Sequence, residues 1–547
     1  MKRDILRTIS LWVRGLMLAL LSVSLVALFT EYAHAVAFAK TYGGTNDDRA
    51  SSVQQTSDGG YIIAGTTRSF GAGNEDIILI KTDAYGNVQW AKTYGGTDIF
   101  ESWHASSVQQ TFDGGYIVTG HTYSFGAGLR DVFLVKTDAS GNIQWAKTYG
   151  GTDIFESWHA SSVQQTFDGG YIVTGYTSSA GGDIFLIKTD VKIFLIKTDA
   201  NGNVQWAKTY GGTDDDMVFS VQQTSDGGYI LAGYTYPSSA GGLDIILIKT
   251  DANGNIIWAK TYGGTGIDIA YSVQQTSDGG YILAGFTDSF GAGGDIILIK
   301  TDANGNVQWA KTYGGTDDDM VFSVQQTSDG GYILAGGTSS FGAGGDIFLI
   351  KTDANGNVQW AKTYGGTNSD YASSVQQTSD GGYIVAGYTS SFGAGWGDII
   401  LIKTDANGNI GSYGIVGNAS PTVNTVSPTV TTPSPTVNTF SPSVSSVSPT
   451  VNSVSPTVTS PTLTVSEPCP LSISESCQIA SGLITPYKGG IKVSGSGEFE
   501  VKVYNVSGSV VKSVKGKNEV KLELSRGVNF VEVVSGGKVI REKVIIR

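Results

Sequence analysis

Two sets of residues have the types and spacing to do chemistry. The first is a quartet, Glu101-Ser102-Trp103-His104, which recurs as Glu156-Ser157-Trp158-His159. Acid, hydroxyl and imidazole are the groups that nucleophilic catalysis uses. A serine two residues from a histidine in a loop has no triad geometry of its own. The flanking sequence is duplicated almost word for word, so the pair reads as a copied insert before it reads as a catalytic site. An exposed tryptophan beside His and Glu suits contact with a sugar or a protein surface. Glu101, Trp103, His104, Glu156, Trp158 and His159 are therefore candidate ligand contacts.

The second set is acidic: the triplets Asp214, Asp215, Asp216 and Asp317, Asp318, Asp319, with Asp47, Asp48, Asp98, Asp153, Asp268 and Asp370 at related positions. A ring of carboxylates could hold Ca²⁺, which takes several oxygen ligands. It also reads as a solvated acidic rim that keeps a surface protein soluble. A third pattern, Asp-x-Asn-x-Asn, has the spacing of the first half of a calcium loop but lacks the downstream Glu. Asp and Asn are also what tight turns prefer, and that reading is favoured here. No other cofactor is expected.

The elements that position these residues come from internal repetition, which governs the chain. The phrase KTYGG or a close match places a tyrosine at 42, 94, 149, 210, 262, 313 and 364, a period of 51 to 61 residues. The long third unit carries a local duplication, IFLIKTD at 184–190 and again at 193–199. Each unit resolves into four short strands. In the sixth, these are SVQQT (323–327), YILAG (332–336), DIFLIKTD (346–353) and NVQWAKT (357–363), parted by Asp-Gly and Asn-Gly turns. Such turns between apolar runs are strong hairpin signals, because they need positive φ. Four antiparallel strands at this period make a β-propeller blade. Trp90, Trp145, Trp206, Trp258, Trp309 and Trp360 hold one equivalent position on the fourth strand, and would pack between neighbouring blades. The seventh unit lacks its fourth strand, while VAFAKT at 36–41 supplies one at the other end, with Phe38 in the tryptophan position. The expected architecture is an all-β, seven-bladed propeller over 36–417, closed by its N-terminal strand.

The segments LIKTDANGNVQWAKTYGG and QTSDGGYILAGYT resemble the propeller repeats of large secreted and surface proteins of bacteria and archaea. The D-x-x-G-x-x-x-W portion is similar to the tryptophan-docking repeat of the quinoprotein (PQQ) propellers. The resemblance implies the fold. The repeats here carry no distinct quinone-binding set, so it implies no quinone chemistry.

Residues 1–35 read as an export signal: Lys2, Arg3 and Arg7, an apolar run from Leu16 to Phe29, then Ala33-His34-Ala35 as a cleavage site. No transmembrane segment is expected after cleavage. Residues 418–470 are rich in Pro, Ser and Thr, without glycine, and repeat SPTVNTVSPTV loosely. They read as a linker or glycosylated stalk, which at about 3.1 Å per residue could extend to roughly 160 Å. Cys469 and Cys477, the two cysteines of the chain, are expected to pair in an exported protein. Residues 471–547 alternate as a small antiparallel β-sandwich. Within them VKVYNVSGSVVKSV, LSRGVNFVEVV and REKVIIR resemble the C-terminal sorting domain of the type IX secretion system. That resemblance implies export across an outer membrane, then surface attachment or release. The competing reading is an immunoglobulin-like stalk module.

The formal net charge is −13, and both ends of the chain are net basic, so nearly all of the net negative charge lies in the repeat region. A phosphate backbone would be repelled, which makes nucleic acid an unsuitable partner. Near-identical repeats suit a multivalent binder better than one asymmetric catalytic constellation. The leading expectation is a secreted or surface-attached, non-enzymatic binding or adhesion module. It forms a monomeric ring, and its partner is an extracellular polysaccharide or a surface protein. The alternatives are a hydrolase or quinoprotein-like enzyme on the propeller face, and a passive envelope component.

Overall fold

A computed structural model describes residues 37–410 except 72–73, 96–102, 124–129, 151–156, 181–188, 212–214, 237–241 and 394. Beyond these it describes strand segments within 416–459 and within 484–546. The export segment 1–35, Glu101, Glu156, Asp214, Cys469 and Cys477 lie outside the described residues. All regular structure among the described residues is β-strand.

Seven blades follow one another. Blade 6 is representative: Asp319–Gln326, Tyr332–Thr338, Asp346–Thr352 and Val358–Tyr364, each antiparallel to the next. Blades 1 to 5 begin at Asp48, Trp103, Ser157, Asp216 and Asp268, and blade 7 at Asp370. The fourth strand of blade 7 is Phe38–Gly43, which pairs with Asp398–Thr404 in the register Phe38↔Lys403 to Tyr42↔Ile399. The N-terminal strand therefore closes the ring, as the sequence predicts.

Third strands read as unbroken apolar runs because both of their faces are buried. Successive residues point to opposite faces. Ile296 and Leu298 of blade 5 accordingly pack with Leu334, Phe348 and Ile350 of blade 6, while Ile297 and Ile299 pack with Ile245 and Leu247 of blade 4. The core thus sits in seven seams between blades. The tryptophans pack there too: Trp309 meets Tyr332 of the next blade edge-on at 5.9 Å. It also covers the next blade's turn at Gly356, where φ is +72° and a Cβ would lie 2.8 Å from the indole. Tyr313 donates its hydroxyl to the Gly356 carbonyl at 2.7 Å, and Lys311 reaches Asn357 Oδ1 at 2.7 Å. The DANGN turn is therefore a dock for the preceding blade. Its Asp353 Oδ1 accepts the backbone N–H of Asn355 and Asn357, which favours the turn reading over calcium.

The innermost strands start earlier than the sequence suggests. Asp319 to Val321 belong to the strand, with a bulge between Val321 and Ser323. Asp319 turns inward, where Thr338 and Ser340 donate to it and Gly315 N–H binds it at 2.8 Å. A Cβ at Gly314 would fall 1.7 Å from Asp295 Oδ1 and 3.0 Å from Asp319 Oδ2. The second-to-last glycine of KTYGG is thus required by two carboxylates from adjacent blades. Burial, then repulsion from the partner aspartate, pushes Asp244 and Asp295 up to about 6. Asp346 is raised to about 6 by the same two causes. Raised carboxyls favour the folded state only while protonated, so their contribution is present below the ordinary aspartate pKa and lost as pH rises through about 6. Replacing Asp295 and Asp346 by asparagine is expected to leave the melting temperature unchanged near pH 4 and to raise it relative to the unaltered protein at pH 7.5. A difference that does not depend on pH would contradict this.

The strand segments within 416–459 pair with the outer strands of the propeller. Val416–Asn418 pairs with the fourth strand of blade 6, Thr422–Thr425 with blade 5, Thr429–Thr431 with blade 4 and Thr436–Thr439 with blade 3. Ser443–Ser446 and Thr450–Ser453 follow on blades 2 and 1, and Thr457–Thr459 on the closing strand Phe38–Gly43. The segment circles the ring backwards and gives every blade a fifth strand. Its period is seven residues: Val416, Val423, Val430, Val437, Val444, Val451 and Val458 stand opposite the seven KTYGG tyrosines.

Residues 467–547 form a separate unit. Its strands Ile484–Tyr487, Gly490–Tyr504, Val510–Glu523, Gly527–Ser535 and Lys538–Ile546 join in one antiparallel network.

Candidate functional site

Blade sameness ends at the start of the innermost strands. The bulged residue, skipped by the pairing, is Ser51, Ser106, Ser161 and Ser373 in four blades but Phe219, Tyr271 and Phe322 in blades 4 to 6. A bulge re-aims its side chain. Here it brings the three half-buried rings side by side, Phe219 to Tyr271 at 5.1 Å and Tyr271 to Phe322 at 5.2 Å. The result is an aromatic arc over three consecutive blades.

Across the ring, blades 7, 1 and 2 line a cavity of about 250 Å³ with Asp47, Arg49, Arg68, Glu75, His104 and Tyr371. Arg68 Nε donates to Glu75 Oε1 at 2.7 Å, and His104 Nε2 lies 2.8 Å from Glu75 Oε2. The His104 hydrogen bond, with Arg68 beside it, holds the Glu75 carboxyl down at about 2. Arg49 lies over the Tyr388 ring at 4.9 Å.

His104 also begins a row of three imidazoles. His121 lies 4.7 Å from His104 and 4.5 Å from His159, which stacks on Tyr176 at 4.8 Å. Burial, then the neighbouring His159, His104 and Arg130, lowers His121 to about 2. Burial, then Arg130, lowers His159 to about 4. Both rings are neutral at physiological pH. Arg130 Nη1 lies 2.7 Å from His159 Nε2. A guanidinium can only donate, so Nε2 accepts and the His159 proton sits on Nδ1. Among the described residues no group of three or more His, Cys, Asp or Glu side chains is placed to hold a metal ion.

Residues 485–547 match the family model for a secretion system C-terminal sorting domain. The protein is secreted or attached to the cell surface. Over 218 residues the chain is 27% identical to Regulatory protein FlaEY of Caulobacter vibrioides, a match that takes in 35% of this chain and 22% of that protein. The chain thus spans about a fifth of that relative's length. A crystal structure of a protein of unknown function from Bacteroides caccae aligns with a TM-score of 0.33 at 11% identity, covering 59% of this chain and 93% of that one.

The candidate contacts read from the sequence separate in this geometry. His104 and His159 each pack against His121, which lies between them. Trp158 does not face outward: it is 5% exposed and packs against Phe194 at 5.2 Å, because strand alternation turns it into the seam between blades 2 and 3. Trp103 opens the innermost strand of blade 2. The acid triplets do not gather. Asp319 is buried against Thr338, while Asp317 and Asp318 are exposed. Asp216 is buried, and Asp215 Oδ1 accepts the Val191 N–H at 3.1 Å. Only the last aspartate of each triplet enters a strand and is buried, while Asp215, Asp317 and Asp318 stay in the loop before it. Arg49, Glu75, His121, Phe219, Tyr271 and Phe322 were missed. The signal for Arg49, Phe219, Tyr271 and Phe322 is the row of differences that appears when the seven innermost strands are aligned; His121 differs likewise on a second strand, and Glu75 just before a third.

Proposed function

We propose that the protein is a non-enzymatic binding module that takes an extracellular polysaccharide at this asymmetric mouth. The observation that carries the reading is the aromatic arc Phe219–Tyr271–Phe322 set across the ring from Arg49, Arg68, Glu75 and His104. Sugar rings present apolar C–H faces, which suit half-exposed aromatic platforms, and hydroxyls, which suit fixed polar side chains. Glu75 is ionised and held by two cationic or donor groups, so it keeps one orientation for an incoming hydroxyl. Three rings in a row fit successive units of a polymer better than one small molecule. The sorting domain places this surface outside the cell, where such polymers occur.

Binding of the full chain to a glycan array, followed by titration of the best glycan, tests the reading. Tyr271→Ala removes the central ring and is expected to weaken binding about thirtyfold, the scale of a central aromatic contact at roughly 2 kcal/mol. Retention of no glycan by the unaltered protein, or equal binding by the variant, would overturn it.

A further inference from the structure

A second constellation lies on the propeller axis and goes beyond the polysaccharide reading. Each innermost strand contains Val-Gln-Gln. Its valine and first glutamine, from Val53 and Gln54 to Val375 and Gln376, surround an axial depression of about 250 Å³ with all seven blades contributing. The first glutamine stitches blades together. Gln274 Oε1 accepts the backbone N–H of Gln326 at 2.6 Å, and the same bond recurs at Gln54, Gln109, Gln164, Gln222, Gln325 and Gln376. A backbone N–H can only donate, so this bond fixes which end of each amide is oxygen.

The other end of each amide is an NH₂ group, and among the described residues none accepts from it. The second glutamine differs. Gln326 Oε1 accepts Ser277 N–H at 2.8 Å, while its Nε2 donates to the Gly330 carbonyl at 3.4 Å. Six of the seven second glutamines are bonded at both ends in this way, and Gln275 at its Oε1. The ring of first glutamines keeps seven donor groups on the axis, where the remaining lining is valine. No carboxylate lines the depression, and each of its seven side-chain amide oxygens is already engaged by a neighbouring blade's N–H.

We propose that this ring of seven glutamine Nε2 groups is a binding site for a small monovalent anion, a halide or a carboxylate, on the propeller axis. Charge-assisted bonds from neutral amides are stronger than amide–water exchange. The interblade bonds already hold each amide in place, so its free N–H donors need no reordering to meet an anion.

The isosteric change Gln→Glu tests this directly. It keeps Oε1 as the acceptor for the neighbouring blade and replaces the NH₂ by a second, negatively charged oxygen. Chloride binding to the full chain is read from ³⁵Cl NMR line broadening, with acetate as competitor. The unaltered protein is expected to broaden the line saturably. The triple variant Gln222→Glu, Gln274→Glu, Gln325→Glu should bind at least tenfold more weakly. Reversal of the broadening by acetate identifies a carboxylate as an occupant; no reversal identifies a halide site. Gln274→Glu alone, with six donors left, should weaken binding measurably even if the triple variant fails to fold. Absence of saturable broadening in the unaltered protein, or equal broadening by folded Gln274→Glu protein, would overturn the proposal.

Discussion

A chain lacking residues 36–43 is expected to lose more than about 5 kcal/mol of folding stability and to unfold without a single cooperative transition. The estimate rests on what that strand buries. Phe38 and Tyr42 are 4% and 0% exposed, and both enter the seam between blades 7 and 1 with Ala50, Val53 and Tyr61. Truncating one buried large aromatic costs about 3–5 kcal/mol, and two are removed here. Phe38 meets Tyr61 edge-on at 6.2 Å, and Tyr42 donates to the Gly86 carbonyl at 2.7 Å, so blade 1 loses its dock as well. The deletion also bares the edge of Asp398–Thr404. No other strand does this, since each of blades 1 to 6 draws its fourth strand from its own turn. Denaturant titration measures the loss, and a relocation separates its cause. Placing VQWAKTYGG directly after Asn409, as in the other blades, restores the missing strand from the opposite terminus and should recover the stability. An unchanged midpoint in the deleted chain would show that the ring is not closed this way.

Blade count, strand order and closure were legible in the sequence because each rests on local chemistry. Asn-Gly and Asp-Gly fix hairpins, unbroken apolar runs mark strands buried on both faces, and the orphaned strand VAFAKT has one vacant place to go. Three features were not legible. The first is Asp319 at a strand start. Three acids in a row suggest a solvated loop, and only the seam supplies Thr338 and Ser340 as partners for a buried carboxylate. The second is the mouth. Reasoning from sevenfold sameness averages over the one bulged position where Ser gives way to Phe219, Tyr271 and Phe322. The third is the seven-residue period of 416–459. A tract of Pro, Ser and Thr cannot bury a core by itself, so it reads as a stalk until seven unpaired strand edges are in view.

Those edges give the second large effect. A chain ending at residue 411 is expected to self-associate at micromolar concentration, whereas one ending at residue 466 stays monomeric. The fourth strand of every blade is an outer edge, with backbone groups that would pair with any extended chain. Val416 to Thr459 fill these edges with short strands, of which the longest have four residues. Proline stands two residues before each valine from Val430 to Val458, as it does before Val423. Proline offers no N–H and stops a strand from growing, so the new outer edge is blunt where the old one was open. Seven residues of extended chain reach at most about 25 Å, enough for one short strand and one step to the next blade. Each piece alone contributes little, because a net backbone hydrogen bond is worth about 0.5–1.5 kcal/mol. The protection comes from covering all seven edges at once. Deleting one heptad, residues 429–435, leaves six segments for seven blades and should bare the closing strand Phe38–Gly43, the last to be reached. Light scattering after size exclusion measures the mass of each chain, and hydrogen exchange at Thr312–Gly314 and Thr41–Gly43 reports which edges are covered. Monomeric behaviour of the chain ending at 411, with exchange equal to that of the longer chain, would show that the belt does not hold the rim.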